Sequence, residues 1–137
     1  MGLKLLANDA NDLTILASAL QDAIVRVGDI RFDPVDRSVT LQASRYRHED
    51  ARPTRILSGL RIDGVMSLQS HAFDRGNADA YAVILDLAFE ESDAPQGSLL
   101  ITLAGGGMIR MAVEGLDVML ADAGEVKRAG SRPRHDA

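Results

Sequence analysis

Between Ala80 and Val113 the sequence keeps a period of two. Tyr81, Val83, Leu85, Leu87 and Phe89 are apolar at every second position, with Asp86 and Glu90 among the residues between them. Leu99, Ile101 and Leu103 then alternate with Ser98, Thr102 and Ala104, and Ile109, Met111 and Val113 with Arg110 and Glu114. One apolar face at period two is the pattern of a half-buried strand. The segment therefore predicts three antiparallel strands, the last two joined at Gly105-Gly106-Gly107.

Parity fixes the expected turn. A three-residue glycine loop sets Leu103 opposite Ile109, Ile101 opposite Met111 and Leu99 opposite Val113, apolar against apolar throughout. A two-residue loop sets Leu103 against Arg110 and turns one apolar face to water. Glycine suits such a loop because the backbone needs a positive φ there. A phosphate-binding loop would need a Lys and a Ser or Thr after its last glycine, then a helix. Here Met108 and Ile109 follow and continue as a strand.

The rest of the chain divides by the same signals. Leu3 to Leu6 reads as a short strand. Asn8 or Asp9 caps a helix over roughly Ala10 to Ala23, with Leu13, Leu16, Ala17, Leu20 and Ile24 at helical spacing. Ile24 to Val27 and Ile30 to Phe32 are β-branched or aromatic, interrupted at Gly28-Asp29. Asp33-Pro34-Val35-Asp36 is a turn. Val39, Leu41 and Ala43 begin a strand that runs into Arg45, Tyr46 and Arg47, and His48 to Pro53 is a polar loop. Arg55 to Ile62 and Val65 to Ser70 read as a hairpin turning at Asp63-Gly64, and Phe73 to Asp79 as a loop. Leu116, Met119, Leu120 and Ala123 recur at helical spacing and predict a C-terminal helix ending at Gly124. The expected fold is α+β, with about seven mostly antiparallel strands and a helix at each end, in one domain over residues 1–124. Residues 125–137 form a basic tail expected to be mobile. Hairpin-connected strands closed by a C-terminal helix resemble the pleckstrin-homology-like barrel. An open sheet packed on two helices is the alternative.

Composition narrows the class of function. The 137 residues fit one domain, and 46% are hydrophobic, although only 4% are aromatic. Aliphatic side chains must therefore fill the core. No run approaches the roughly 20 apolar residues of a membrane span, and the start is too short in apolar residues for a signal peptide. The chain has no Cys, which removes disulfides, thiol nucleophiles and cysteine metal sites. These features predict a cytoplasmic protein.

Several stretches carry a resemblance. They are Leu20-Gln21-Asp22-Ala23 with Val25-Arg26-Val27-Gly28-Asp29, Arg45-Tyr46-Arg47, Gly59-Leu60-Arg61, Ala104-Gly105-Gly106-Gly107 with Ile109-Arg110, and Ser131-Arg132-Pro133-Arg134-His135. Together they resemble DUF2948, an uncharacterised bacterial family. The resemblance covers nearly the whole chain and implies a small bacterial cytoplasmic protein, with no activity attached.

Chemistry-bearing patterns are few. His48, His71 and His135 stand at no zinc-binding spacing, and no nucleophile elbow is present. His71 could meet Asp74, and Asp63, Asp86 and Glu90 could meet one another. These are the only foothold for an enzyme, and a surface or packing role outweighs it. No catalytic residue, metal site or cofactor is assigned. The arginines lead further. The net charge is −5, yet Arg37 to Arg61 is rich in arginine. Arg45, Arg47, Arg55 and Arg61 flank one polar loop, and pairing of their strands would gather them into an anion- or partner-binding patch, with Tyr46 on the opposite face from Arg45 and Arg47. Arginine suits fixed pairs with carboxylate or phosphate.

Three readings stand. The first is a non-enzymatic interaction module that offers a sheet face, the arginine patch and the tail to a protein partner, a second copy included. The second is a nucleic-acid or anion-binding protein using the same arginines, with few stacking aromatics to support it. The third is an enzyme assembled around His71 and carboxylates.

Overall fold

The computed structural model describes residues 2–47, 54–73 and 76–128, with backbone alone for 123–128. Among these residues there are ten strands, one α-helix and one short 3-10 turn. The elements are β1 (Lys4–Ala7), α1 (Ala10–Leu20), β2 (Ile24–Arg26), the 3-10 turn (Val27–Asp29), β3 (Arg31–Asp33), β4 (Ser38–Tyr46), β5 (Thr54–Asp63), β6 (Val65–His71), β7 (Tyr81–Glu91), β8 (Gly97–Leu103), β9 (Met108–Val113) and β10 (Val118–Arg128). All paired strands are antiparallel. Their order is β1-β10-β5-β4-β2-β7-β8-β9-β6, with β3 beside β4.

The expected seven strands with two helices are therefore corrected to a mostly antiparallel sheet with one helix. The order begins at β1 and ends at β6, so the sheet is not closed and the barrel is not formed. The expected C-terminal helix is a strand. Val118, Leu120 and Asp122 point into the core at period two, and β10 pairs with both β1 and β5. The tail expected from residue 125 begins inside β10, and residues 129–137 lie outside the described residues, as does the loop expected at His48 to Pro53.

The N-terminal helix forms as its spacing demands. Asp9 caps it by accepting from the Asp12 N–H at 2.8 Å. Leu13, Leu16, Ala17 and Leu20 are buried in one hydrophobic cluster with Val39, Leu41, Leu60, Ile101 and Met111. The helix thus covers the inner side of the sheet, against β7, β1 and β4.

Asp63-Gly64 makes a corner and not a hairpin. β5 pairs with β4 and β10, while β6 pairs with β9. Gly64, at φ +73, carries the chain from one half of the sheet to the other. The Gly64 carbonyl accepts from the Glu114 N–H, and the Val65 N–H donates to the Arg37 carbonyl, both at 2.9 Å. The segment joining β9 to β10 passes the same corner, so β5–β6 and β10–β9 bend together.

In the meander, Leu99, Ile101, Leu103, Ile109, Met111 and Val113 are all buried, and Arg110 is exposed, as parity requires. The opposed pairs are two residues away from the expected ones: Ile101 faces Ile109 and Leu99 faces Met111. The loop is longer, with the Leu103 N–H donating to the Gly107 carbonyl at 2.8 Å. Gly105 and Gly106 hold φ +87 and +96. A shift of two keeps every side chain on its face, so burial cannot distinguish the two registers. β7 departs further. A bulge at Leu85 reverses its parity, so Ile84 and Leu87 are buried while Leu85 is 42% and Tyr81 69% exposed.

Candidate functional site

The four arginines singled out above do not share a face. Along β4, Val39, Leu41, Ala43 and Arg45 alternate inward, and Arg45 is fully buried. Along β5, Arg55 stands opposite Tyr46 and Arg61 opposite Thr40, which places both on the outer face.

Arg45 meets Asp122 in a two-pronged pair. Nε donates to Oδ1 and Nη2 to Oδ2, each at 2.8 Å. The Ser58 hydroxyl donates to Oδ1 at 2.6 Å and the Leu3 N–H to Oδ2 at 2.8 Å. Burial pushes the Asp122 carboxyl up, but the donors from Arg45, Ser58 and Leu3 outweigh it and hold the pKa at about 2. A carboxylate so held neither gives nor takes a proton near neutrality. The cluster locks β4, β5, β10 and the segment leading into β1 together, and its role is structural. Asp122 drew no attention in the sequence because its partner lies 77 positions away.

Arg47 lies just past the end of β4, its N–H donating to the Thr54 carbonyl. Arg55 donates to the Ser44 carbonyl at 2.8 Å, and its guanidinium carbon sits 5.7 Å from the Tyr46 ring centroid. Arg61 is held between two carboxylates, Asp36 at 2.7 Å and Asp63 at 2.9 Å. Hydrogen bonds from Asp63 and then Asp36 raise its pKa, and Arg61 in turn keeps the Asp36 carboxyl below its ordinary range.

The outer face around Arg61 forms the most chemically mixed surface among the described residues. Strand register lays out two rows. Arg31, Thr40, Arg61, Met119 and Leu6 follow one another across β3, β4, β5, β10 and β1. Beside them run Gln42, Gly59, Ala121 and Lys4. Gly59 and Ala121 are too small to fill their places, and a Cβ added at Gly59 would meet no atom within 4 Å. The result is a groove of about 400 Å³ flanked by Arg31 and Arg61. Arg31 is exposed and makes no ion pair among the described residues. Leu6, 58% exposed, adds an apolar rim. Neither Arg31 nor the Gly59 gap stood out in the sequence, since both depend on which strands become neighbours.

Other hollows have less to offer. One of about 490 Å³ between α1 and β7 is lined by Leu13, Ala17, Leu87 and Phe89, with Asp86 its one ionisable group. Another of about 290 Å³ adjoins Gly105 and Gly107. The carboxylates weighed for an enzyme are dispersed: Asp63 binds Arg61, while Asp86 and Glu90 lie on β7, beyond β4 and β2. His71 is exposed at the end of β6, and Asp74, His48 and His135 lie outside the described residues. Among the described residues no group of three or more His, Asp and Glu side chains is placed to hold a metal ion, and no helix is long and apolar enough to cross a membrane.

No curated protein and no solved structure matches the chain. The family described as "Protein of unknown function (DUF2948)" matches residues 3–135, nearly the whole sequence in which the quoted motifs lie, and the chain belongs to that family.

Proposed function

We propose that this chain is a non-enzymatic interaction module that docks a protein partner on the outer face of β3, β4, β5 and β10. One observation carries the reading: the Gly59–Ala121 depression lies on a solvent-facing sheet surface, with Arg31 at one side and apolar Met119 and Leu6 beyond Arg61. A depression with a rigid floor accepts an apolar side chain, and an arginine without an internal counter-ion suits a carboxylate beside it. Arg61, already clamped by Asp36 and Asp63, gives the groove a fixed wall. The partner that fits is an acidic segment with one apolar anchor.

The nucleic-acid or anion reading has less support. Arg45 is engaged by Asp122, and Arg55 and Arg61 stand six residues apart on one strand, about 20 Å.

The test is capture from native lysate, with and without nuclease, by wild type, Gly59→Trp and Arg31→Glu. Wild type should retain a protein that survives nuclease treatment, and both substitutions should lose it. Equal retention by all three removes the groove from the interaction. Retention that vanishes with nuclease or moderate salt replaces this reading with nucleic-acid binding.

A further inference from the structure

The sheet has two ends, and they are built differently. β1 is four residues long and carries Lys4. A short, charged edge is how sheets avoid pairing with strangers. β6 runs seven residues, Val65-Met66-Ser67-Leu68-Gln69-Ser70-His71, without an Asp, Glu, Lys, Arg or Pro. Among the described residues its only strand neighbour is β9. Beyond that pairing, the Val65 N–H alone on this strand has a further backbone partner. Met66, Ser67, Gln69 and His71 are exposed. Nothing in this edge resists strand addition.

We infer that β6 pairs antiparallel with β6 of a second copy, about a two-fold axis at Leu68. The choice of a second copy rests on the rows crossing the sheet. Phe89, Leu99, Met111 and Leu68 stand opposite one another across β7, β8, β9 and β6. That apolar row starts in the core and stops at the edge with Leu68 partly buried. In the two-fold pair, Leu68 meets Leu68 of the second copy, and the row continues into the second core. Ser67 falls opposite Gln69, and Met66 opposite Ser70. The polar pairs can donate and accept mutually, and no charge faces a charge. An isologous contact needs this self-complementarity, and few seven-residue strands satisfy it along their whole length.

The experiment uses the full chain. Sedimentation equilibrium should return twice the 14.7 kDa chain mass. Ser67→Lys with Gln69→Lys places like charges opposite each other in both symmetric pairs. It should raise the dimer dissociation constant by about tenfold or more, with circular dichroism and melting temperature unchanged. Ser67→Glu with Gln69→Glu should do the same, and mixing the Lys and Glu variants should restore a dimer. A chain that stays monomeric to its solubility limit overturns the proposal, including the case in which another protein's extended segment fills the edge. So does a dimer indifferent to both variants. If the variants fail to fold, hydrogen exchange of wild type decides. Amides of residues 66–71 should slow as concentration rises, and a dimer that protects a different strand overturns the assignment.

Discussion

Arg45 and Asp122 face each other inside the core, two nitrogens on two oxygens at 2.8 Å, with side chains 0% and 1% exposed. Taking two charges out of water costs several kcal/mol each, and their mutual attraction offsets this only with good geometry and further donors. Ser58 and the Leu3 N–H supply those donors. The pair therefore holds four segments in one register, and its removal should act in a pH-dependent way.

The folded pKa of about 2 lies below the ordinary 3.8, so folding favours the ionised carboxyl. The associated stability is present above about pH 4 and is lost as pH falls toward 2. Urea denaturation at neutral pH and in acid should show this loss in wild type. Asp122→Asn should cost about 3–5 kcal/mol at neutral pH, because Arg45 stays buried without its counter-charge. It should also flatten the acid limb. Arg45→Met combined with Asp122→Leu should cost less than either single change. A double variant as damaged as the sum of the singles would mean that the pair is not coupled.

The bulge in β7 makes two neighbouring aliphatics unequal. Ile84 is 1% exposed and Leu85 42%. Ile84→Ala should destabilise by about 2–5 kcal/mol, and Leu85→Ala by less than about 1 kcal/mol. Chemical denaturation that ranks them the other way would place the bulge elsewhere.

Gly97 is hemmed in by β7. A Cβ there would lie 2.5 Å from the Glu90 carbonyl oxygen and 2.6 Å from the Phe89 ring. Backbone on one side leaves little to yield, so Gly97→Ala should cost about 1–3 kcal/mol. Gly59→Ala, into open space, serves as the control and should leave the melting temperature nearly unchanged.

β10 continues past its irregularity, pairing Val126, Lys127 and Arg128 with Ile56, Arg55 and Thr54. A chain ended after Gly124 loses those pairings, and one ended after Arg128 keeps them. The shorter chain should melt at least roughly 4 °C below the longer one. Equal melting temperatures would show that this end of the strand contributes nothing to stability.

What the sequence disclosed was local. The Asp9 cap, the Leu13–Leu20 stripe and the inward faces of β8 and β9 depend on neighbours a few residues away, and all were readable. β10 misled because its core positions are Val118, Leu120 and Asp122. A carboxylate in an inward slot breaks the alternation, so the helical spacing of Leu116, Met119, Leu120 and Ala123 stood out instead. Only Arg45, far off in sequence, makes an inward Asp122 acceptable. Asp63-Gly64 carried a strong hairpin signature, yet the same φ serves a corner equally well. The groove was hidden for a related reason: Arg31, Gly59 and Ala121 become neighbours only when β3, β4, β5 and β10 align.

The pairing of β1 with β10 bears on the order of synthesis. A ribosome delivers Lys4 to Ala7 first and Val118 to Ala121 more than a hundred residues later. Until then β1 has no strand beside it, and the Arg45 guanidinium must wait in water for its carboxylate. β4 and β5 can pair early, but the layer that seals them arrives with the final strand. This protein therefore completes its core after translation has nearly ended, and a nascent chain stalled before Asp122 should remain open to protease at β1 and β4.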